Sequence, residues 1–280
     1  MHLFHKISDT KAYLSEQKKK GLQIGFVPTM GALHKGHLTL LEKAKKENDL
    51  CVCSIFVNPI QFNNAADLTR YPRPLEKDIL FLNSIGCDVL FQPSVEEMYP
   101  EPNKIIYDLN GLDKTMEGAF RPGHFNGVAV VVKKLFDIME PNRAYFGEKD
   151  FQQLAIIKYL VKVLQLPIQI IPVATIRESD GLAMSSRNQL LTPLERKAAP
   201  HIYQTLLQAK EKITTINIHE LKEWVIKEIN RNSLMKTEYF EVVNIDTLRP
   251  ASERFKTKNT IGCIAVNMGK VRLIDNIKFF

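Results

Sequence analysis

The densest chemistry in the chain lies in the string PTMGALHKGH at residues 28–37. His34 and His37 fall within one helical turn if a helix begins there, so both imidazoles can address the same anion. Gly31 and Gly36 let the backbone approach a ligand closely. A turn that opens a helix also offers free N–H groups and the positive end of the helix dipole. These are phosphate-handling features without the Gly-rich P-loop or the G-x-G-x-x-G string. By residue type alone, the histidine pair also fits a polar surface turn or part of a metal site, but no clear third ligand stands nearby.

Further candidates follow along the chain. Gln61, in FVNPIQF (56–62), and Gln153, in GEKDFQQ (147–153), are neutral amides that suit a small hydroxy acid. Lys149 and Arg187 are cations able to neutralise charge moving onto a polyphosphate leaving group. Asp150 suits ribose hydroxyls, although an aspartate at a helix start is also expected on capping grounds. Met184, Ser185, Ser186 and Arg187 form a segment of hydroxyls and a guanidinium, or in isolation a polar turn. Asp78 lies on a helix face rich in lysine and reads as solvated.

The elements that must position these residues are visible as apolar runs. Residues 22–27 read as a strand ended by Pro28, and a helix follows from about Gly36 with Leu38, Leu41 and Ala44 on one face. Residues 50–57 are nearly all apolar, as a strand covered on both faces should be. Leu75, Ile79, Leu82 and Ile85 repeat at helical spacing before Gly86. Strands are predicted at 87–91, 104–108, 143–146 and 167–173, with helices at 126–139 and 151–164. This alternation predicts an α/β fold with a Rossmann-like doubly wound parallel sheet over 1–176. Ligands bind beyond the carboxyl ends of such strands, where most of the candidates stand.

Beyond residue 176 the pattern changes. Thr192, Pro193 and Glu195 make a strong helix start, with a Thr cap, Pro at the first helical position and Glu three residues on. Two helical stretches to about residue 232 and strands at 239–243, 261–266 and 271–274 predict a smaller α+β domain over 177–280.

The 280 residues are 45% hydrophobic and 25% charged, with 38 Lys and Arg against 31 Asp and Glu. That composition excludes disordered and collagen-like chains. A net charge of +7 suits an enzyme of anionic substrates or a nucleic-acid binder. The lysine runs at 18–20 and 45–46 sit on separate polar faces, which argues against a nucleic-acid interface. No apolar stretch reaches the ~18 residues of a membrane span, and no secretory signal is visible, so a cytoplasmic location is expected. Four cysteines form no C-x-x-C pair, and Cys51 and Cys53 alternate on one face of a buried strand, as fits a reducing compartment.

Taken together, H-x-G-H resembles the H-I-G-H element of the nucleotidyltransferase superfamily. The wider set also includes DL (67–68), YPR (71–73), FRPGHF (120–125), RESDGLAMSSRN (177–188) and RLIDN (272–276). In that order, over nearly the whole chain, it is similar to the pantothenate synthetase (pantoate–β-alanine ligase) family. The resemblance implies an AMP-forming ligase that activates (R)-pantoate with ATP, through a pantoyl adenylate, and then joins β-alanine to it. It implies catalytic roles for His37, His34, Lys149 and Arg187. Contacts to ATP are implied for Met30, Gly31, Ala32, Leu33, His34, Lys35, Gly36, His37, Gly147, Glu148, Lys149, Asp150, Ile176, Met184, Ser185, Ser186 and Arg187. Gln61 would touch pantoate and β-alanine, and Gln153 pantoate, with Asn58, Arg121 and His124 as further contacts. Mg2+ would arrive with ATP rather than on named protein ligands, the smaller domain would act as a lid, and the chain would be a homodimer. Pro74, where Thr is common, and Lys77, where an acid is frequent, depart from the family pattern. An adenylyltransferase for a different acceptor is the rival within the superfamily.

Overall fold

The computed structural model describes residues 1–253 and 258–280. The chain opens with β1 (His2–Phe4) and α1 (Ile7–Lys19), then β2 (Ile24–Thr29), α2 (Lys35–Glu47) and β3 (Leu50–Ile55). Next come α3 (Ala65–Arg70), α4 (Leu75–Ser84), β4 (Val89–Phe91) and α5 (Val95–Met98). They are followed by α6 (Met116–Phe120), α7 (His124–Met139), β5 (Arg143–Gly147), α8 (Phe151–Val163) and β6 (Gln169–Val173). The remainder holds α9 (Pro193–Ala198), α10 (His201–Lys212), α11 (Ile218–Asn230), β7 (Met235–Asn244), β8 (Thr260–Met268) and β9 (Val271–Lys278).

These elements fall into two compact units: Met1–Asn110, Arg121–Glu148 and Gln153–Ala174 in one, Gly111–Phe120, Lys149–Gln152 and Thr175–Phe280 in the other. In the first, six strands pair in parallel in the order β1-β4-β3-β2-β5-β6. β3 is buried throughout, so its run LCVCSI needs no polar alternation, and Cys51 and Cys53 pack on one face with Leu41 and Leu82. The strand order reverses between β2 and β5, and such a switch point is where an open α/β sheet offers a crevice. The segments that begin at Met30 and at Glu148 both leave the sheet there.

Several elements differ from the sequence reading. β2 runs through Pro28 instead of ending before it. β2 pairs with β5 only at Gly25 and Phe26, so the missing N–H of Pro28 faces no ladder partner on that side. Residues 104–108 form no strand; Tyr107 and Ile105 are held instead by the side chain of Asn126. β1, α1 and the short helices α3, α5 and α6 were not anticipated from the pattern.

In the second unit an antiparallel sheet, β7-β8-β9, packs against helices. Leu221, Val225 and Ile229 form the buried stripe of α11, and with Leu206, Phe240 and Ile264 they make the core. Each such side chain contributes about 1.5–3 kcal/mol by leaving water. Thr192 and Glu195 close the expected capping box at α9, and α9, α10 and α11 make three helices rather than two stretches, because the run is interrupted at Pro200. Among the described residues no helix is long and apolar enough to cross a membrane.

Candidate active site

The turn after β2 is built by residues far apart in sequence. Gly31 and Ala32 both adopt left-handed backbone, with φ of 79° and 51°. For Ala32 that conformation costs roughly 1–2 kcal/mol. Asp78, on α4, offsets it: its Oδ2 accepts from Ala32 N at 2.8 Å and its Oδ1 from Leu33 N at 2.7 Å. Two such bonds, of about 0.5–1.5 kcal/mol each, offset strain of that size. The solvated Asp78 expected from the lysines around it is therefore wrong, since only 1% of the residue is exposed. Burial pushes its carboxyl above the usual range, against the pull of the two amides. A Cβ at Gly31 would lie 3.0 Å from Asp78 Oδ2, so the turn admits no larger residue without a shift.

At the helix start the N–H groups of Gly36 and His37 are both taken up by His34, which narrows the expectation of free N–H groups. His34 is the N-cap of α2: its Nδ1 accepts from Gly36 N at 3.2 Å, while His37 Nδ1 accepts from His34 N at 3.3 Å. The two rings lie 4.1 Å apart. A ring nitrogen that accepts carries no proton, so each neutral imidazole is the Nε2–H tautomer. The capping box thus turns the histidines into Nε2 donors, which is the polarity a phosphate oxygen requires. Lys35 is exposed in the first turn of α2, and Met30 is half-buried.

Met30 leads to the glutamine. Gln61 Nε2 donates to Met30 Sδ at 3.3 Å, and its Oε1 accepts from Asn58 Nδ2 at 3.0 Å. Asn58 is buried, bridged to Gly127 O and to the hydroxyl of Tyr99. His124 accepts from Arg121 Nη1 at Nε2 and so donates from Nδ1 to Gln61 O at 2.8 Å. Asn58, Arg121 and His124 therefore hold Gln61 by side chain and backbone. Beside Met30 and Gly31 is a cavity of about 210 Å³, bounded also by Phe56, Arg73, Asp78 and Gln92. Gln153, in the first turn of α8, is half-buried, as are Gly147 at the end of β5 and Glu148 after it.

The other candidates belong to the second unit. Lys149 and Asp150 end a single 3-10 turn, Glu148–Asp150, with Lys149 Nζ 3.6 Å from Asp150 Oδ2. Asn276 on β9 donates to Lys149 O at 3.0 Å. Ile176 O accepts from Met184 N at 2.9 Å, so the segments 176–177 and 183–184 run as a tight antiparallel pair. Ser185 then caps the 3-10 turn Ser186–Leu190 by accepting from Arg187 N. The structure thus gathers the candidates into two sets, one per unit. Sequence reasoning missed Asp78 as the support of the turn, because its partners lie more than forty residues away.

The sequence model of the pantoate-beta-alanine ligase family matches residues 2–278 of this chain. The chain belongs to that family. Pantothenate synthetases from Bacteroides fragilis (strain YCH46) and Porphyromonas gingivalis (strain W83) are 48% and 46% identical to it, over 100% of this chain and 99% of each relative. The crystal structure of pantothenate synthetase from Thermus thermophilus superposes with a TM-score of 0.92 at 41% identity, covering both chains fully. That of the Francisella tularensis pantoate-beta-alanine ligase, complexed with beta-gamma ATP and beta-alanine, superposes with a TM-score of 0.84 at 38% identity, over 100% of this chain and 98% of that one. A pantoate–β-alanine ligase uses a nucleotide with a divalent metal. Among the described residues no three His, Cys, Asp or Glu side chains form a metal-holding group, and Asp78 is committed to backbone amides. This donor set fits a metal carried by phosphate oxygens and water more than one held in a protein cage.

Proposed function

We propose that this chain condenses (R)-pantoate with β-alanine at the expense of ATP, giving pantothenate, AMP and pyrophosphate. The observation that carries the reading is the family match over residues 2–278, joined to a turn whose histidines are set as Nε2 donors. In the first step a pantoate carboxylate oxygen attacks the α-phosphorus, and the bond to the bridging oxygen of pyrophosphate breaks. In the second the amine of β-alanine attacks the acyl carbon, AMP departs with the electron pair, and the ammonium proton is lost. Adenylation is needed because a free carboxylate has no leaving group.

His37 donates to the oxygens around the α-phosphate and His34 to the neighbouring phosphates, while Lys149 and Arg187 balance charge that grows on pyrophosphate. Backbone and side chains of 30–37, Gly147 to Asp150, Ile176 and 184–187 contact ATP. Gln61 orients pantoate and then β-alanine, and Gln153 orients pantoate; neither adds a fixed charge. Mg2+ supplies charge neutralisation on the polyphosphate, held mainly by its oxygens. The unit formed largely by Thr175–Phe280 closes as a lid, and the enzyme works as a cytoplasmic homodimer. The four free, buried cysteines support a reducing compartment.

The test is exchange of labelled pyrophosphate into ATP with Mg2+ and pantoate present and β-alanine withheld. Exchange that depends on pantoate is expected. Exchange with another acid only, or none from folded protein, overturns the substrate assignment and returns the question to the wider superfamily.

A further inference from the structure

The RLIDN string on β9 has no role in the reaction as described, yet its side chains reach both nucleotide-facing segments of the second unit. Asn276 is 8% exposed, and its amide nitrogen is spent on the backbone carbonyl of Lys149 at 3.0 Å. Asp275, beside it, accepts Asn276 N at 2.8 Å and grips Arg177 by two bonds of 2.7 and 2.9 Å. Arg177 stacks 3.5 Å over the ring of Tyr203 and donates to Gly181 O. Its backbone pairs with Ala183, next to Met184. A continuous set of bonds therefore runs from Lys149 through Asn276 and Asp275 to the 176–184 segment.

Asn276 gives Lys149 such an anchor. The lysine sits in a single 3-10 turn, Glu148–Asp150, between β5 and α8, and the bond from Asn276 is a further hold on its carbonyl. A lysine side chain swings out from its Cα, so where its Cα–Cβ bond points limits which phosphate Nζ can reach. β8 fixes the anchor in turn, because Asn276 lies in register with Cys263 in the middle of the sheet.

We propose that Asn276 is a positioning residue for the adenylation step: it acts through Lys149, whose backbone it holds at the polyphosphate, with Asp275 and Arg177 tying that hold to the 176–184 segment. The inference rests on the assignment of Lys149 to ATP.

Asn276→Asp keeps the side-chain volume but removes the donor and sets a carboxylate against a carbonyl; Asn276→Ala removes the contact. Either variant is expected to lower pantoate-dependent exchange by about 10- to 100-fold, the scale of a small misplacement of a catalytic group. KM for pantoate and the melting temperature should change little. In a Lys149→Met background, read by single-turnover pyrophosphate release so that slow variants register, the same substitution should cost less than about 2-fold, since its effect runs through the missing amine. Full activity in Asn276→Asp, or losses that simply multiply in the double variant, overturns the proposal. Failure of both variants to fold also overturns it, by making Asn276 a residue of the fold alone. A wild-type enzyme with no pantoate-dependent exchange removes the underlying reading as well, whereas an active wild type with unaffected variants removes only the role of Asn276.

Discussion

Arg272 offers the sharpest test of how the second unit holds its excursion at Gly111–Phe120. The guanidinium meets both oxygens of Glu117, at 2.7 and 2.8 Å, and Glu238 at 2.9 Å. Glu117 also accepts from the Tyr239 hydroxyl at 2.8 Å, and its side chain is 10% exposed. Burial alone would lower the pKa of Arg272, but the two glutamates outweigh it and drive the pKa up. Removing one partner of a buried pair costs about 3–5 kcal/mol, because the other charge is stranded. Arg272 is partly exposed and Glu117 would keep Tyr239, so Arg272→Met should cost about 3 kcal/mol, at the low end of that range. At roughly 2–4 °C per kcal/mol for a chain of this size, the melting temperature should fall by about 6–12 °C. Calorimetry is the assay of choice, since two units need not melt together. Arg272→Lys keeps the charge but loses the two-pronged geometry and should fall between. Adding Glu117→Gln to Arg272→Met removes the more buried of the two stranded carboxylates and should recover part of the loss. A variant that melts within a degree of the wild type, or a double variant with no recovery, would refute the reasoning.

Three further outcomes follow from the first unit. His37→Ala loses a bond to a backbone N–H worth about 1 kcal/mol, so the protein should fold while pantoate-dependent exchange disappears; unchanged turnover would remove His37 from its role. Gly127→Ala places a Cβ 2.6 Å from Ile60 O and 2.8 Å from Gln61 Cα, contacts with backbone that cannot give way cheaply. It should cost about 1–3 kcal/mol and raise KM for pantoate several-fold with little change for ATP, and equal losses for both ligands would contradict the link to Gln61. Asp78 titrates above its ordinary 3.8 because it is buried. With a raised folded pKa, ionising the buried carboxyl costs more than its two amide bonds return, so net stability is highest below 3.8 and falls as pH rises through the raised value. Asp78→Asn should flatten that acid-side slope in thermal melts taken from low pH to neutrality, and an unchanged slope would assign the titration to another group.

The sequence showed the sheet wherever burial was complete. β3 is apolar throughout because both its faces are covered, and the capping box at Thr192 is a purely local arrangement. β1 escaped because it is three residues long and pairs only with β4, at the edge of the sheet. α1 buries only Thr10 and Leu14, too little to leave a helical stripe. At 104–108 the apolar letters misled: Ile106 is 86% exposed and belongs to no strand. The motif residues were legible by type and order, but their supports were not. Asp78 looks solvated among its helix neighbours, and Glu117 stands 155 positions from Arg272. No local pattern records such a pairing.

The candidate residues divide into those that meet a substrate in the proposed reaction and those that fix them in place, and the second group explains why the first is dependable. Asp78 stabilises a turn with two left-handed residues, Asn58 and His124 lock the amide and the carbonyl of Gln61, and Asn276 pins the backbone of Lys149. Stabilising charge as it develops in a transition state requires donors already aimed, since reorienting them during the reaction would cost what they contribute. His34 and His37 serve both purposes, because the bonds that cap α2 at Nδ1 also assign the proton to Nε2. A doubly protonated ring would lose that cap, as Nδ1–H would then point at another N–H. In the proposed reaction the fixed positive charge at the polyphosphate falls to Lys149 and Arg187. That division of labour predicts that substitutions at the cations are the more sensitive to ionic strength, while those at the histidines are not.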